Sequence, residues 1–158
     1  MTTARRIMAV LVILGAVTLG TSQVAGQFNR DNGTVTAMID GVAWEADQVS
    51  TALYDREFLE FSVGGAQTAD ETTLTIDVED VRGPGTFELK GGGSGASFYR
   101  FRAGEEFETT DSRVGTLRIT SMTDRRATGT FSFDAELRSQ PGRVVQVRDG
   151  EFDIRLFD

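Results

Sequence analysis

Two stretches restrict the fold more than anything else in the sequence: Thr128-Gly129-Thr130-Phe131-Ser132-Phe133-Asp134-Ala135-Glu136-Leu137 and Asp149-Gly150-Glu151-Phe152-Asp153-Ile154-Arg155-Leu156-Phe157. In each, apolar and polar side chains alternate with period two. A helix would scatter those apolar groups around its axis, whereas a strand gathers Phe131, Phe133, Ala135 and Leu137, or Phe152, Ile154 and Leu156, on one face. A glycine opens each run, and the same opening recurs at Gly85-Thr86-Phe87-Glu88-Leu89 and Gly115-Thr116-Leu117-Arg118-Ile119. Four glycine-led strands at uneven intervals describe an all-β chain that is neither solenoid nor propeller.

The rest of the sequence agrees. Thr34 to Ile39 is a β-rich run that meets Asp40-Gly41, a pair suited to a two-residue hairpin turn because both central positions there need positive φ. Val42 to Ala46 is the returning arm and carries Trp44. Val49 to Tyr54 and Phe58 to Val63 are two further strands, the second ended by Gly64-Gly65. Thr73 to Glu79 alternates cleanly, with Leu74, Ile76 and Val78 inward. Arg82-Gly83-Pro84-Gly85 is a turn in which proline presets one φ and the following glycine takes a positive one, and Gly91-Gly92-Gly93-Ser94-Gly95 reads as a flexible connector. Ser97 to Arg102 and Glu105 to Thr109 form a hairpin whose arginines on one arm face glutamates on the other. Arg113 to Met122, Ala127 to Leu137, Arg143 to Val147 and a separate closing strand complete the series. The expectation is one all-β domain over residues 34–158, an antiparallel β-sandwich or partly closed barrel. Leu74, Ile76, Leu117, Ile119, Phe131, Phe133, Phe152 and Ile154 are expected in its core.

The start of the chain has a different character. Arg5-Arg6, the apolar run Ile7 to Val17 and the small and polar residues that follow are the parts of a secretory signal peptide, with Val24-Ala25-Gly26 as the cleavage site. The apolar run is short of the roughly 20 residues of a spanning helix, and the residues around the arginine pair match a twin-arginine signal poorly. The expected organisation is a signal peptide over 1–26, a polar leader over 27–33 and the β domain, in a secreted or periplasmic protein with no stable membrane insertion after cleavage. Removing 26 of 158 residues leaves 132, and losing Arg5 and Arg6 takes the net charge from −8 to −10. That acidity excludes nucleic acid, which demands a basic footprint. With no cysteine the domain has no disulfide and rests on its core alone, and all eleven phenylalanines lie after the signal. Asn32-Gly33-Thr34 is formally a glycosylation acceptor.

The absence of His and Cys removes the usual catalytic base, the thiol nucleophile and the common zinc ligands. Lys90, the one lysine among sixteen basic residues, borders the glycine connector, which lacks the Gly-Lys-Ser/Thr of a phosphate loop. No cofactor is expected. The expected role is a non-catalytic binding or structural module of the envelope or exterior; a carboxylate-dependent hydrolase such as a glycosidase is the alternative, since that chemistry needs only Asp or Glu at the right separation. Calcium ligation by Asp77, Glu79 and Asp80, or within Glu105 to Asp111, lacks the spacing of a calcium loop. Aromatic and basic residues interleave at Phe98, Tyr99, Arg100 and Arg102, types enriched at binding hot spots. This is the expected contact surface for an unknown envelope or extracellular ligand, with Trp44 as a neighbour if the two strands lie together. Aromatics completing a core at an edge strand are the plainer account of the same residues.

Thr36-Ala37-Met38-Ile39-Asp40-Gly41-Val42-Ala43-Trp44, the Gly83-Pro84-Gly85-Thr86-Phe87 turn, the Gly-Gly-Gly-Ser-Gly connector, Gly129-Thr130-Phe131-Ser132-Phe133 and Asp149-Gly150-Glu151-Phe152 together resemble a group of small, uncharacterised exported β-proteins of bacteria. Many members of that group carry a lipoprotein cysteine at the cleavage site, which this chain lacks. The resemblance implies an exported β-sandwich or barrel, and neither an activity nor site residues.

Overall fold

The computed structural model describes residues 32–49, 52–55, 57 and 59–157; the segment expected to be a signal peptide lies outside them. They form twelve strands: β1 (Gly33–Ile39), β2 (Val42–Glu45), β3 (Gln48–Val49), β4 (Ala52–Asp55), β5 (Glu60–Gln67), β6 (Thr72–Val78), β7 (Gly85–Leu89), β8 (Gly95–Arg100), β9 (Glu105–Glu108), β10 (Gly115–Met122), β11 (Arg126–Leu137) and β12 (Val144–Phe157). The strands make one sheet in the order β2-β1-β12-β4-β5-β6-β8-β9-β11-β10-β7, with β3 beside β5 and an additional pairing of β11 with β12. That last pairing turns the sheet back on itself. Strands β2 and β7 lie at the two ends of the order. Pairing is antiparallel except where Leu156 and Phe157 run parallel to Ala52 and Leu53.

The period-two pattern places the core as expected, with all eight residues named for it buried. Phe61 on β5 meets Phe152 on β12 with ring centroids 5.9 Å apart, so rings from the two strands flanking β4 meet in the core. The Asp40-Gly41 hairpin also forms, with φ of 50° and 79° at its two turn residues.

Several sequence expectations change. Arg143 to Phe157 is not two strands but the single strand β12, with Asp149 (φ 49°) forming an irregularity inside it. Gly129 and Gly150 therefore do not open strands. They sit within the two longest ones, and register explains them: Gly129 opposes Phe152 and Gly150 opposes Phe131. A Cβ on either glycine would overlap that ring, so a glycine-x-phenylalanine spacing on two antiparallel strands lets each ring lie over the other strand's glycine. Gly64-Gly65 likewise does not end β5, because the bare Gly65 makes room for Ala46 and lies under the Trp44 ring, 3.6 Å from the position of its missing Cβ. The Val49 to Tyr54 run lies along β5 in two pieces, β3 and β4.

Further changes concern turns and Asn32. Before β7 the positive φ falls on Gly83, at 153°, rather than on Gly85, which already belongs to the strand. The Gly-Gly-Gly-Ser-Gly segment closes as a hydrogen-bonded turn, with the N–H groups of Lys90 and Gly91 both donating to the Ser94 carbonyl at 3.0 Å, and the Ser94 hydroxyl accepting the Glu79 N–H at 3.1 Å. Asn32 is buried and donates its side-chain amide to the Val49 carbonyl at 3.2 Å, which removes it as an accessible glycosylation acceptor.

Candidate functional site

Strand β8 alternates as its sequence demands until Arg100, placing Phe98 and Arg100 on the inner face. Phe98 is buried and opposes the equally buried Phe107 of β9. The Arg100 guanidinium lies 5.4 Å and 5.3 Å from the centroids of those two rings. An inward-pointing cation at a sheet end is costly without partners, and here it has two: Asp40 at 3.0 Å and Glu105 at 3.6 Å. Glu105, only 15% exposed, is shared with Arg143, whose guanidinium lies 5.9 Å from the Phe107 ring centroid. Asp40 uses its other oxygen to accept the Gln146 N–H at 2.9 Å. Two arginines and two carboxylates thus balance one another around the Phe98–Phe107 pair.

Trp44 arrives at the same place from the other direction. It is buried, and its indole N–H donates to the Thr72 hydroxyl at 2.9 Å; Thr72 is the register partner of Arg100 on β6. The β1–β2 hairpin therefore lands on the β6–β8 pair twice, through Asp40 on Arg100 and through Trp44 on Thr72. The conditional neighbourhood of Trp44 and the Phe98–Arg102 segment is present, but its residues separate by environment. Phe98 and Trp44 are core side chains and Arg100 is engaged on every side. Tyr99 faces outward, edge-to-face with Phe101 at a centroid distance of 4.4 Å.

Arg102 does not share the strand face of Phe98 and Arg100, because the chain leaves β8 into a 3-10 turn over Phe101–Ala103. It is 70% exposed and pairs with Glu71 at 3.3 Å. Of the expected charge pairs across the hairpin, Arg100 with Glu105 forms, whereas Glu106 and Glu108 pair with Arg138 instead. Sequence reasoning missed Asp40, Thr72, Glu105 and Arg143 as the frame around Arg100. The Asp40-Gly41 turn signal located one of them; nothing local pairs it with a residue sixty positions away.

Among the remaining carboxyls, burial pushes Asp77 up from its ordinary value, while a hydrogen bond with Ser62 pulls it partly back. Ser62 and Gly95 are its cross-strand neighbours. Lys90 pairs with Glu88 at 3.7 Å on the surface. Among the described residues no group of three or more acidic side chains is placed to hold a metal ion, and no helix is long and apolar enough to cross a membrane.

Residues 31–153 match a family model described as a domain of unknown function, DUF6252. The chain belongs to this family. The match spans the sheet from β1 into β12 and with it the Arg100 frame, so these elements are the family's domain rather than an addition to it. No curated protein and no solved structure matches the chain.

Proposed function

We propose that this DUF6252 domain is a non-catalytic binding module of the cell envelope or exterior, exported by its basic, apolar and small-residue start. The observation that carries the reading is the double anchoring at β8: Arg100 held by Asp40 and Glu105, and Trp44 held by Thr72. Those contacts fix the corner that presents Tyr99, Phe101 and Arg102 outward, and a rigid aromatic pair beside an exposed guanidinium loses little conformational freedom when it meets a partner. Phe98, Arg100 and Trp44 then serve as its framework, and Tyr99 and Arg102 as its contacts. Tyr99→Ala combined with Arg102→Ala should reduce capture of a partner in pull-down by roughly tenfold or more with an unchanged melting temperature. Equal capture by the double variant would sink the reading.

One observation favours the runner-up, a carboxylate-dependent hydrolase: Asp77 is an acid with a raised pKa, as a general acid requires. Turnover of a glycoside or peptide substrate that disappears in Asp77→Asn would replace the binding reading with this one.

A further inference from the structure

The outer face of β10, β11 and β12 carries a hollow of about 310 Å³. Thr116, Thr130 and Ser132 line it with hydroxyls, Arg118 stands on one side, and Asp149 and Glu151 stand on the other. Register sets this arrangement: Thr116 opposes Ser132, and Arg118, Thr130 and Glu151 follow one another across three strands. With neighbouring strands roughly 4.8 Å apart, Arg118 and Glu151 stand about 10 Å apart at the backbone with short side chains between them. The irregularity at Asp149, a non-glycine residue at positive φ, adjoins the hollow, and Gly150 beneath it is locked by the Phe131 ring.

We propose that this hollow is a saccharide site that takes a neutral, hydroxyl-rich sugar. Several other surface arginines are spent on carboxylates: Arg102 on Glu71, Arg126 on Asp153, Arg138 on Glu106, Arg148 on Asp134. Arg118 and Glu151 lie in one cross-strand row yet do not pair, and the side chains of Thr116, Arg118, Thr130, Ser132, Asp149 and Glu151 have no hydrogen-bond or ion-pair partner among the described residues. The site therefore offers a donor-only guanidinium, two acceptor-only carboxylates and three hydroxyls of both kinds. Vicinal sugar hydroxyls, each both donor and acceptor, match that set. One cation against two carboxylates disfavours phosphorylated or sulfated ligands, and an extended peptide would seek a strand edge rather than a sheet face. The inference is independent of the Tyr99 corner.

The test is isothermal titration of the purified protein with cellohexaose, xylohexaose, chitohexaose and maltohexaose, each to about 5 mM, the range in which a shallow site without an aromatic platform binds. At least one should bind saturably, and Arg118→Ala and Glu151→Gln should each weaken it roughly tenfold, as loss of a charged hydrogen-bond partner does, without lowering the melting temperature. Tyr99→Ala should leave sugar binding unchanged. The proposal is overturned if no sugar binds, if binding survives both hollow substitutions, if Tyr99→Ala abolishes it, or if spermidine saturates the protein where the sugars do not.

Discussion

Arg100 shows how one side chain holds two parts of the chain together. Its guanidinium is about one-third exposed, so each ion pair is screened in part. Two carboxylates and two aromatic faces nevertheless converge on it, and Asp40 comes from the distant β1–β2 turn. Arg100→Ala should lower stability by about 1–3 kcal/mol, measured by urea denaturation, since it leaves Glu105 with Arg143 as its one partner and removes the ion pair that holds Asp40 of the β1–β2 turn. Asp77 acts through protonation. Its raised pKa means the folded state favours the protonated form, so its stabilising contribution is fully present below the unfolded value of 3.8 and is lost as pH rises through the folded value. Asp153 runs the opposite way: hydrogen-bonded by Arg126, its pKa is lowered, and its contribution is present above 3.8 and lost as pH falls through the folded value. Asp77→Asn should therefore raise the melting temperature at neutral pH by roughly 2–4 °C, a gain that shrinks as the buffer is taken down toward the ordinary carboxylate range.

At the scale of elements the organising device is the reciprocal packing of glycine and phenylalanine between β11 and β12. Gly129 has the Arg118 carbonyl on one side and the Phe152 ring on the other, and neither leaves room for a methyl group. Gly129→Ala should cost about 2–4 kcal/mol in chemical denaturation, at the upper end of overpacking, because backbone must shift as well as a side chain. The same pairs show what was legible in the sequence. Period two gave most of the strands and every named core residue, because alternation is a local property of an amphipathic sheet. The glycine in Gly-Thr-Phe and Asp-Gly-Glu-Phe reads locally as a strand opening, but its role lies in a ring on the neighbouring strand, and register across some twenty residues is invisible to a local pattern. The candidate site divides the same way. That Tyr99 and Arg100 would face opposite sides followed from alternation; that Asp40, Thr72 and Arg143 frame Arg100 depends on how the sheet folds back.

For the molecule as a whole, β12 is the hub. It pairs with β1, with β11 and, through its last residues, with β4, while β1 holds no other strand but β2. Gly33 is matched with Ile154, so the first of the described strands to be made must wait for the last before that edge is paired. Contacts of such long sequence separation are slow to form and leave nascent strands unpaired. A nascent chain wired in this way reaches its core late and stays threadable through a narrow pore until β12 has emerged, the condition that passage across a membrane by the proposed route of export would impose. The same delay leaves the edges of β1 and β11 open to other nascent chains, so the protein's yield depends on how quickly its final strand follows.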